Sequence, residues 1–352
     1  MKLEKVQLIH VFGQTPHHYL PMKQFFMKLN EELTFKQVFW AWSHPEQTPA
    51  ADFTYYDGNH DLIKKMRAEP NTTRFVFHGM FSRKFLFQLL LSRFPKRSAW
   101  VCWGADLYQH KSDKPTIKAK FARWIHSLLV ARLHSVFALN KGDGELIQQL
   151  LWKRPVTVLP YPLIGSDGIS VELNDTYKTI LVGNSGAPSN EHIEALSWLA
   201  RFANSAIKVV VPLNYGGSPE YVEQVIKHGR ALFSDKFLPI TEMLDKNEYD
   251  KLLASVDVGV FAHYRQQGLY VVYSLFLRRK KMYIRSSTSS FESLIGSGFS
   301  VFASEDIVKQ DFNEFAKLDS ETADHNEKLM QFTYSETALL PKWRAELAQL
   351  FS

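Results

Sequence analysis

Short apolar runs alternate along this chain with segments of helical period, and their spacing predicts strands and helices in turn. In the first half the runs fall at residues 6–12, 37–42, 74–77, 100–103, 136–139 and 156–159, with helical patterns at 21–33 and 61–68. A second series has strands at 179–182, 207–211, 237–240 and 256–262, helices at 219–232 and 246–254, and a closing helix at 337–350. Such alternation is the signature of an α/β protein with parallel, doubly wound sheets. The Pro- and Gly-containing stretch 160–176 separates the two series and reads as a linker. The expected organisation is two Rossmann-like domains, residues 1–160 and 177–335, facing a cleft. Residues 336–352 form a helix that can pack back on the first domain.

Composition narrows the class. With 352 residues, 45% hydrophobic and 22% charged, the chain has material for two cores and the balance of a soluble globular protein. One cysteine, Cys102, excludes an intrachain disulfide framework and a Cys-based zinc site. The start, MKLEKVQLIHVFG, lacks a signal peptide's apolar stretch, and no run reaches bilayer-spanning length. The expected location is the cytosol or a membrane's cytosolic face.

Charge is uneven. Residues 1–160 carry 23 Lys+Arg against 12 Asp+Glu, a balance of +11, and the remainder 19 against 24, a balance of −5. A basic half implies an anionic partner. Nucleic acid is one such class, but no recognisable binding module supports it. Two segments of this half look amphipathic: FSRKFLFQLLLSRFPKR at 81–97, and residues 111–133, where Lys114, Lys118, Lys120 and Arg123 lead into Trp124, Ile125, Leu128 and Leu129. Basic residues beside aromatic and aliphatic faces suit an anionic membrane surface. Helices packed on a sheet with solvated Lys and Arg outside fit the same pattern.

Polar residues gather where predicted strands end, which is where ligands sit in parallel α/β sheets. Gly13, Gln14, His17 and His18 follow the first strand, His78 and Gly79 the third, and Trp103, Gly104, Asp106 and Tyr108 the fourth. In the second half Asn184 and Ser185, then Pro212, Asn214 and Tyr215, then His263, Arg265, Gln266, Gln267 and Gly268 occupy such ends. The richest segment is TILVGNSGAPSNEHIEAL, residues 179–196: an apolar run, a small-residue loop (Gly183, Asn184, Ser185, Gly186), then a helix with Ser189 as N-cap. Strand, small loop and helix start present backbone N–H groups and a positive dipole end to phosphate. The first half thus offers bases and the second offers phosphate binders, a division suited to group transfer from a nucleotide to an acceptor hydroxyl.

The residues FHGMF (77–81), WGADLY (103–108), ILVGNSGAPSNEHIEAL (180–196), IKVVVPLNYG (207–216) and RQQGL (265–269), with the opening LIHVFGQTPHH, resemble the bacterial 4-acetamido-4,6-dideoxygalactose transferases of glycosyltransferase family 56. The matches keep their order from about residue 8 to 270. The resemblance implies a GT-B fold without a metal-binding DxD motif, no cofactor, and a dTDP-activated amino sugar as donor. It also implies an undecaprenyl-diphosphate-linked glycan of enterobacterial common antigen as acceptor, at the cytoplasmic face of the inner membrane. After RQQGL the chain departs from the family: YVVYSLFLRRKK stands where a Gly-Thr pair and then a Gly-Ile-Pro turn at 278–281 are usual, positions expected near nucleotide or sugar. A nucleotide-sugar epimerase of the same fold, or a non-catalytic sugar-nucleotide-binding protein, are the competing classes.

Individual roles follow. Asp106 is a candidate general base, or a helix cap or arginine partner. His78 is a second candidate base, or a structural histidine, and of His17 and His18 one is expected to face the cleft. Gly13, His18, Gly79, Trp103 and Tyr108 are expected at the acceptor. Gly183, Asn184, Ser185, Gly186, Asn190, His192, Pro212, Tyr215, Arg265, Gln266, Gln267 and Gly268 are expected at the donor nucleotide, with Arg265 as diphosphate counter-charge. Glu191 suits a helix's first turn or a ribose.

Overall fold

The computed structural model describes residues 6–43, 52–111, 115–151, 155–163 and 176–352. The chain divides into two compact units, one of residues 1–164 with 336–352, the other of residues 165–335. The first unit holds β1 (Gln7–Phe12), β2 (Lys36–Trp42), β3 (Thr54–Tyr56), β4 (Arg74–His78), β5 (Ser98–Cys102), β6 (Ser135–Ala138) and β7 (Thr157–Val158). They form one parallel sheet in the order β3-β2-β1-β4-β5-β6-β7. The second holds β8 (Lys178–Val182), β9 (Ile207–Pro212), β10 (Phe237–Ile240), β11 (Val258–Phe261), β12 (Lys281–Ile284) and β13 (Phe302–Ala303). These are also parallel, in the order β10-β9-β8-β11-β12-β13. Helices cover both faces, so strand interiors such as Leu8–Phe12, Phe75–Phe77 and Ile180–Val182 are buried on both sides.

Strand order reverses beside β1 in one unit and beside β8 in the other. Phe12 pairs with His78 across one reversal and Val182 with Val260 across the other. The crevice at such a switch point is where open α/β sheets take ligands. Both polar clusters of the sequence lie at these two edges.

Several expectations shift. The first helix is Pro16–Met27 rather than 21–33, because Pro16 occupies its first turn, where a missing N–H costs nothing. Strands β3, β12 and β13 escaped the periodicity, being two to four residues long. The helix after the glycine loop starts at His192, preceded by a 3-10 turn Pro188–Asn190. Its cap is therefore Glu191, in the left-handed region at φ 52°, and not Ser189. Of the expected linker, residues 164–175 lie outside the described residues, whereas Leu159 and Leu163 are buried within the first unit. Of the departing residues 278–281, the first three precede β12 and Lys281 opens it, so they stand at the N-terminal edge of the second sheet, opposite the donor candidates. There Arg279 pairs with Asp324, and Lys281 donates to the carbonyls of Glu314 and Lys317.

The two amphipathic segments become helices Arg83–Leu90 and Ile117–Arg132, packed on each other through buried Phe85, Leu86, Leu89, Ile125 and Leu129. Each also shows a second apolar face. Phe87 is 45% exposed, Leu91 70%, Ile117 86%, Phe121 57% and Trp124 54%. Arg83, Lys84, Lys118 and Lys120 are exposed near them, and Lys114 lies outside the described residues. Arg97 is otherwise engaged, donating to Pro70 O and lying over the Phe94 ring. Among the described residues no helix is long and apolar enough to cross a membrane.

Candidate active site

At the C-terminal edge of the first sheet, Gly104 turns the chain at φ 83° into the short helix Ala105–Tyr108. This drops Asp106 beneath the strand ends, fully buried. Four donors fill its carboxylate: Met80 N–H (3.0 Å) and Trp100 Nε1–H (2.7 Å) on Oδ2, Trp103 N–H (3.0 Å) and the Cys102 thiol (3.6 Å) on Oδ1. A carboxylate has about four lone-pair sites, so none remains for an acceptor hydroxyl. Burial raises the Asp106 pKa, while the bonds from Met80, Trp100 and Trp103 draw it back. Burial and the nearby Asp106 push the Cys102 thiol up, keeping it a donor. Asp106 therefore ties the β4 and β5 ends together and is not placed as a general base.

His78 is also fully buried, stacked on Phe12. Its Nε2 meets His10 Nδ1 at 3.0 Å and its Nδ1 meets the Tyr161 hydroxyl. Burial and the neighbouring His10 hold its pKa well below the usual imidazole value. With both nitrogens occupied it stands as a structural histidine. His17 lies in the first turn of helix Pro16–Met27, its side chain outside the described residues. His18 sets its ring edge-on to Trp103 at 5.0 Å. Phe81 and Tyr161 flank the same indole. Gly13 and Gly79 make room for Phe81: a Cβ on Gly79, at φ 82°, would stand 2.5 Å from that ring. Gly13, His18, Gly79 and Trp103 are thus together, whereas Tyr108 points away, donating to Asp143 Oδ1 at 3.1 Å.

The second sheet's edge gathers the donor candidates. Gly183 adopts φ 68°, and a Cβ there would meet Asn190 Oδ1 at 2.8 Å and His192 Nε2 at 3.0 Å. Fully buried Asn190 threads the loop, accepting from Asn184 N–H (3.1 Å) and donating to Ser185 O (2.9 Å) and Ala187 O (3.0 Å). Gly186 N–H donates to Tyr215 O (2.8 Å), and Asn184 Nδ2 to the Tyr215 hydroxyl (3.3 Å). Gln267 Nε2 donates to Asn184 Oδ1 (3.3 Å), while Ser189 Oγ donates to Gln267 Oε1 (2.7 Å) and accepts from Arg265 Nε (3.2 Å). Gly268, at φ 67°, lies against Asn184. Pro212 closes β9 and is buried. Three loops, after β8, β9 and β11, are therefore laced into one rim.

This rim keeps polar atoms without protein partners: His192 Nε2, both nitrogens of His263, Gln266 Oε1 and Asn214 Oδ1. His192, His263 and Gln266 are buried. Burial takes His192 to about 4 and His263 to about 3, so both are neutral, and Arg265 adds to the shift at His263. A buried polar group without a partner costs about 1–3 kcal/mol, which a ligand bearing acceptors and donors would recover.

Sequence reasoning gives three further residues of this rim no ligand-side role. Ser189, expected as a helix cap, joins Arg265 to Gln267, and His263 stands among the strand-end residues without one. Buried Arg285, at the end of β12, donates to Ala262 O (2.6 Å), pairs with Glu194 and lies over the Tyr264 ring at 4.0 Å. Without β12 in hand, no periodicity pointed to Arg285. Among the described residues no group of three or more His, Cys, Asp or Glu side chains is arranged to hold a metal ion.

The sequence profile of the 4-alpha-L-fucosyltransferases, glycosyl transferase group 56, matches residues 5–350. The chain belongs to glycosyltransferase family 56. This family 56 enzyme has the GT-B fold. Sucrose-phosphate synthase from Thermosynechococcus elongatus matches it with TM-score 0.74 at 10% identity, over 98% of this chain and 99% of that one. A glycosyltransferase from Rickettsia africae gives 0.71 at 10% identity, over 99% and 98%. An E. coli structure described as trehalose-6-phosphate bound with UDP-2-fluoro glucose gives 0.69 at 8% identity, over 98% and 99%. At such identities the likeness concerns the fold alone, while the family rests on the sequence match.

Proposed function

We propose that this family 56 glycosyltransferase moves 4-acetamido-4,6-dideoxygalactose, or a related deoxyamino sugar, from a dTDP-sugar to an undecaprenyl-diphosphate-linked glycan. The product belongs to enterobacterial common antigen or a related surface polysaccharide. The observation that carries the donor half is the rim of the second sheet, where unpartnered His192, His263 and Gln266 atoms surround a glycine loop beside Arg265. Neutral histidines, loop amides and one guanidinium suit a nucleoside diphosphate, whose charge the arginine offsets. The acceptor hydroxyl forms a bond to the sugar's anomeric carbon as the bond to the diphosphate oxygen breaks. The diphosphate leaves with the electron pair, and no metal is required. The hydroxyl proton passes to a base. His18, edge-on to Trp103 on the acceptor side, is the described candidate for that role.

The acceptor half draws on the first unit. Trp103, Phe81 and His18 form an aromatic edge able to face a sugar ring, and the exposed apolar faces of helices Arg83–Leu90 and Ile117–Arg132 suit a bilayer surface. Exposed Arg83, Lys84, Lys118 and Lys120 add attraction to anionic headgroups at the cytoplasmic face of the inner membrane.

Calorimetric titration with dTDP- and UDP-sugars, then transfer to the undecaprenyl-diphosphate disaccharide, tests the proposal. Arg265→Ala should weaken dTDP-sugar binding by about 1.5–3 kcal/mol. Unchanged affinity for every nucleotide sugar would remove Arg265 from the site, and turnover abolished by EDTA would contradict metal independence.

A further inference from the structure

One chain of buried hydrogen bonds has its direction set at the Gln37 end. Gln37 Nε2 donates to the Phe26 carbonyl at 2.6 Å, so Gln37 must present its oxygen to His10 Nε2, 3.0 Å away. His10 Nε2 therefore carries the hydrogen. Burial takes His10 to about 3, so the ring is neutral and its Nδ1 is a bare acceptor. His78 Nε2 must then donate to it, leaving His78 Nδ1 to accept from the Tyr161 hydroxyl. At the far end Trp103 Nε1–H, which can only donate, reaches the Tyr161 oxygen at 3.2 Å. The reverse direction would need both nitrogens of His10 protonated, an imidazolium among Phe26, Phe39 and His78 with no carboxylate against it among the described residues. Trp343 closes the other side, stacked on Tyr161 at 5.3 Å with its own Nε1–H on Pro160 O.

We propose that His78 is a positioning residue for the acceptor. Through the Tyr161 hydroxyl it fixes the rotamer of Trp103, and so the aromatic wall that the incoming glycan meets. The inference rests on the acceptor reading above. It departs from a base role because the chain ends on an amide and a backbone carbonyl, giving a proton nowhere to go.

Two measurements separate the parts. In enzyme labelled with 15N-histidine, long-range 15N–1H spectra should show His10 and His78 both as Nε2–H tautomers, whether or not any acceptor is turned over. A Nδ1–H tautomer or an imidazolium at His78 at neutral pH would overturn the relay. Steady-state kinetics with the undecaprenyl-diphosphate disaccharide and dTDP-4-acetamido-4,6-dideoxygalactose then test positioning. Tyr161→Phe and His78→Leu should raise the acceptor KM tenfold or more, with the donor KM unchanged and kcat within about threefold. His78→Asn, whose amide oxygen can replace Nδ1 as acceptor, should recover most of that loss. Collapse of kcat at saturating acceptor in folded Tyr161→Phe would make the relay part of the chemistry, and unchanged acceptor KM would reduce it to core packing. If no variant or wild-type enzyme turns over this pair while the tautomers hold, the substrate assignment has failed and the relay has not.

Discussion

Beside the two switch points, the buried acid, amide and histidine side chains are treated in opposite ways. At the first, Asp106 uses every lone pair on protein donors, and His10 and His78 are paired on both nitrogens. At the second, His192, His263 and Gln266 are as deeply buried yet keep atoms without partners. Closed networks make a scaffold, because each bond is already formed before anything binds. Open ones store desolvation cost that only a ligand relieves, which makes them the better marker of a binding site.

Acid in the presence of dTDP should separate the two edges most strongly. His10 and His263 fall to about 3 and His192 to about 4, below the ordinary 6.5. The unfolded chain then binds more protons as pH drops below 6.5, so stability present above 6.5 is lost on the way toward pH 4, by several kcal/mol in total. Bound dTDP, by placing negative charge near His192 and His263, should reduce this loss for the second unit and not for the first. Hydrogen exchange at pH 7 and 5, with and without dTDP, gives the readout. Equal protection of both units by dTDP at pH 5 would break the contrast.

Next in size is Asp106→Ala, which strands the N–H groups of Met80, Trp100 and Trp103. A loss on the order of 3–6 kcal/mol in urea unfolding is expected. If Asp106→Asn instead unfolds like wild type while turnover vanishes, the carboxylate belongs to the chemistry after all. His263→Phe should run the other way. Replacing an unpartnered imidazole with an apolar ring should leave the ligand-free protein as stable or more so, by up to about 1 kcal/mol, while dTDP-sugar affinity falls. A destabilised variant with normal affinity would mean that His263 has a protein partner in solution. The smallest effect belongs to the surface: Lys84→Glu and Lys118→Glu should each lower binding to anionic liposomes by about 1 kcal/mol or somewhat more, in a salt-dependent way. Binding unchanged by charge reversal and by Trp124→Ala would leave the exposed faces for some other partner.

Much of the fold was legible because parallel strands buried on both faces print continuous apolar runs, as ILV before GNSG shows. The second sheet's rim was legible for a related reason: glycines and short polar residues at strand ends mark loops that must fold tightly. The roles of Asp106 and His78 were not. A carboxylate at a strand end looks the same in sequence whether it faces solvent or four donors, and only Trp100, Cys102 and Met80 in three dimensions decide between them. Arg285 stayed hidden because β12 spans four residues beside RRKK, too short a run to register.

The chain begins in one unit and returns to it: residues 336–352 complete a body started by residues 1–164, with Trp343 wholly buried there and Arg74 donating to Leu350 O. Synthesis proceeds from the N-terminus, so the second unit is fully made while the first still lacks a wall. The first unit's core should therefore close last, leaving its aromatic interior dependent on chaperones until the closing helix emerges. Mutations in residues 336–352 would then show first as aggregation during expression, before any kinetic defect could be measured.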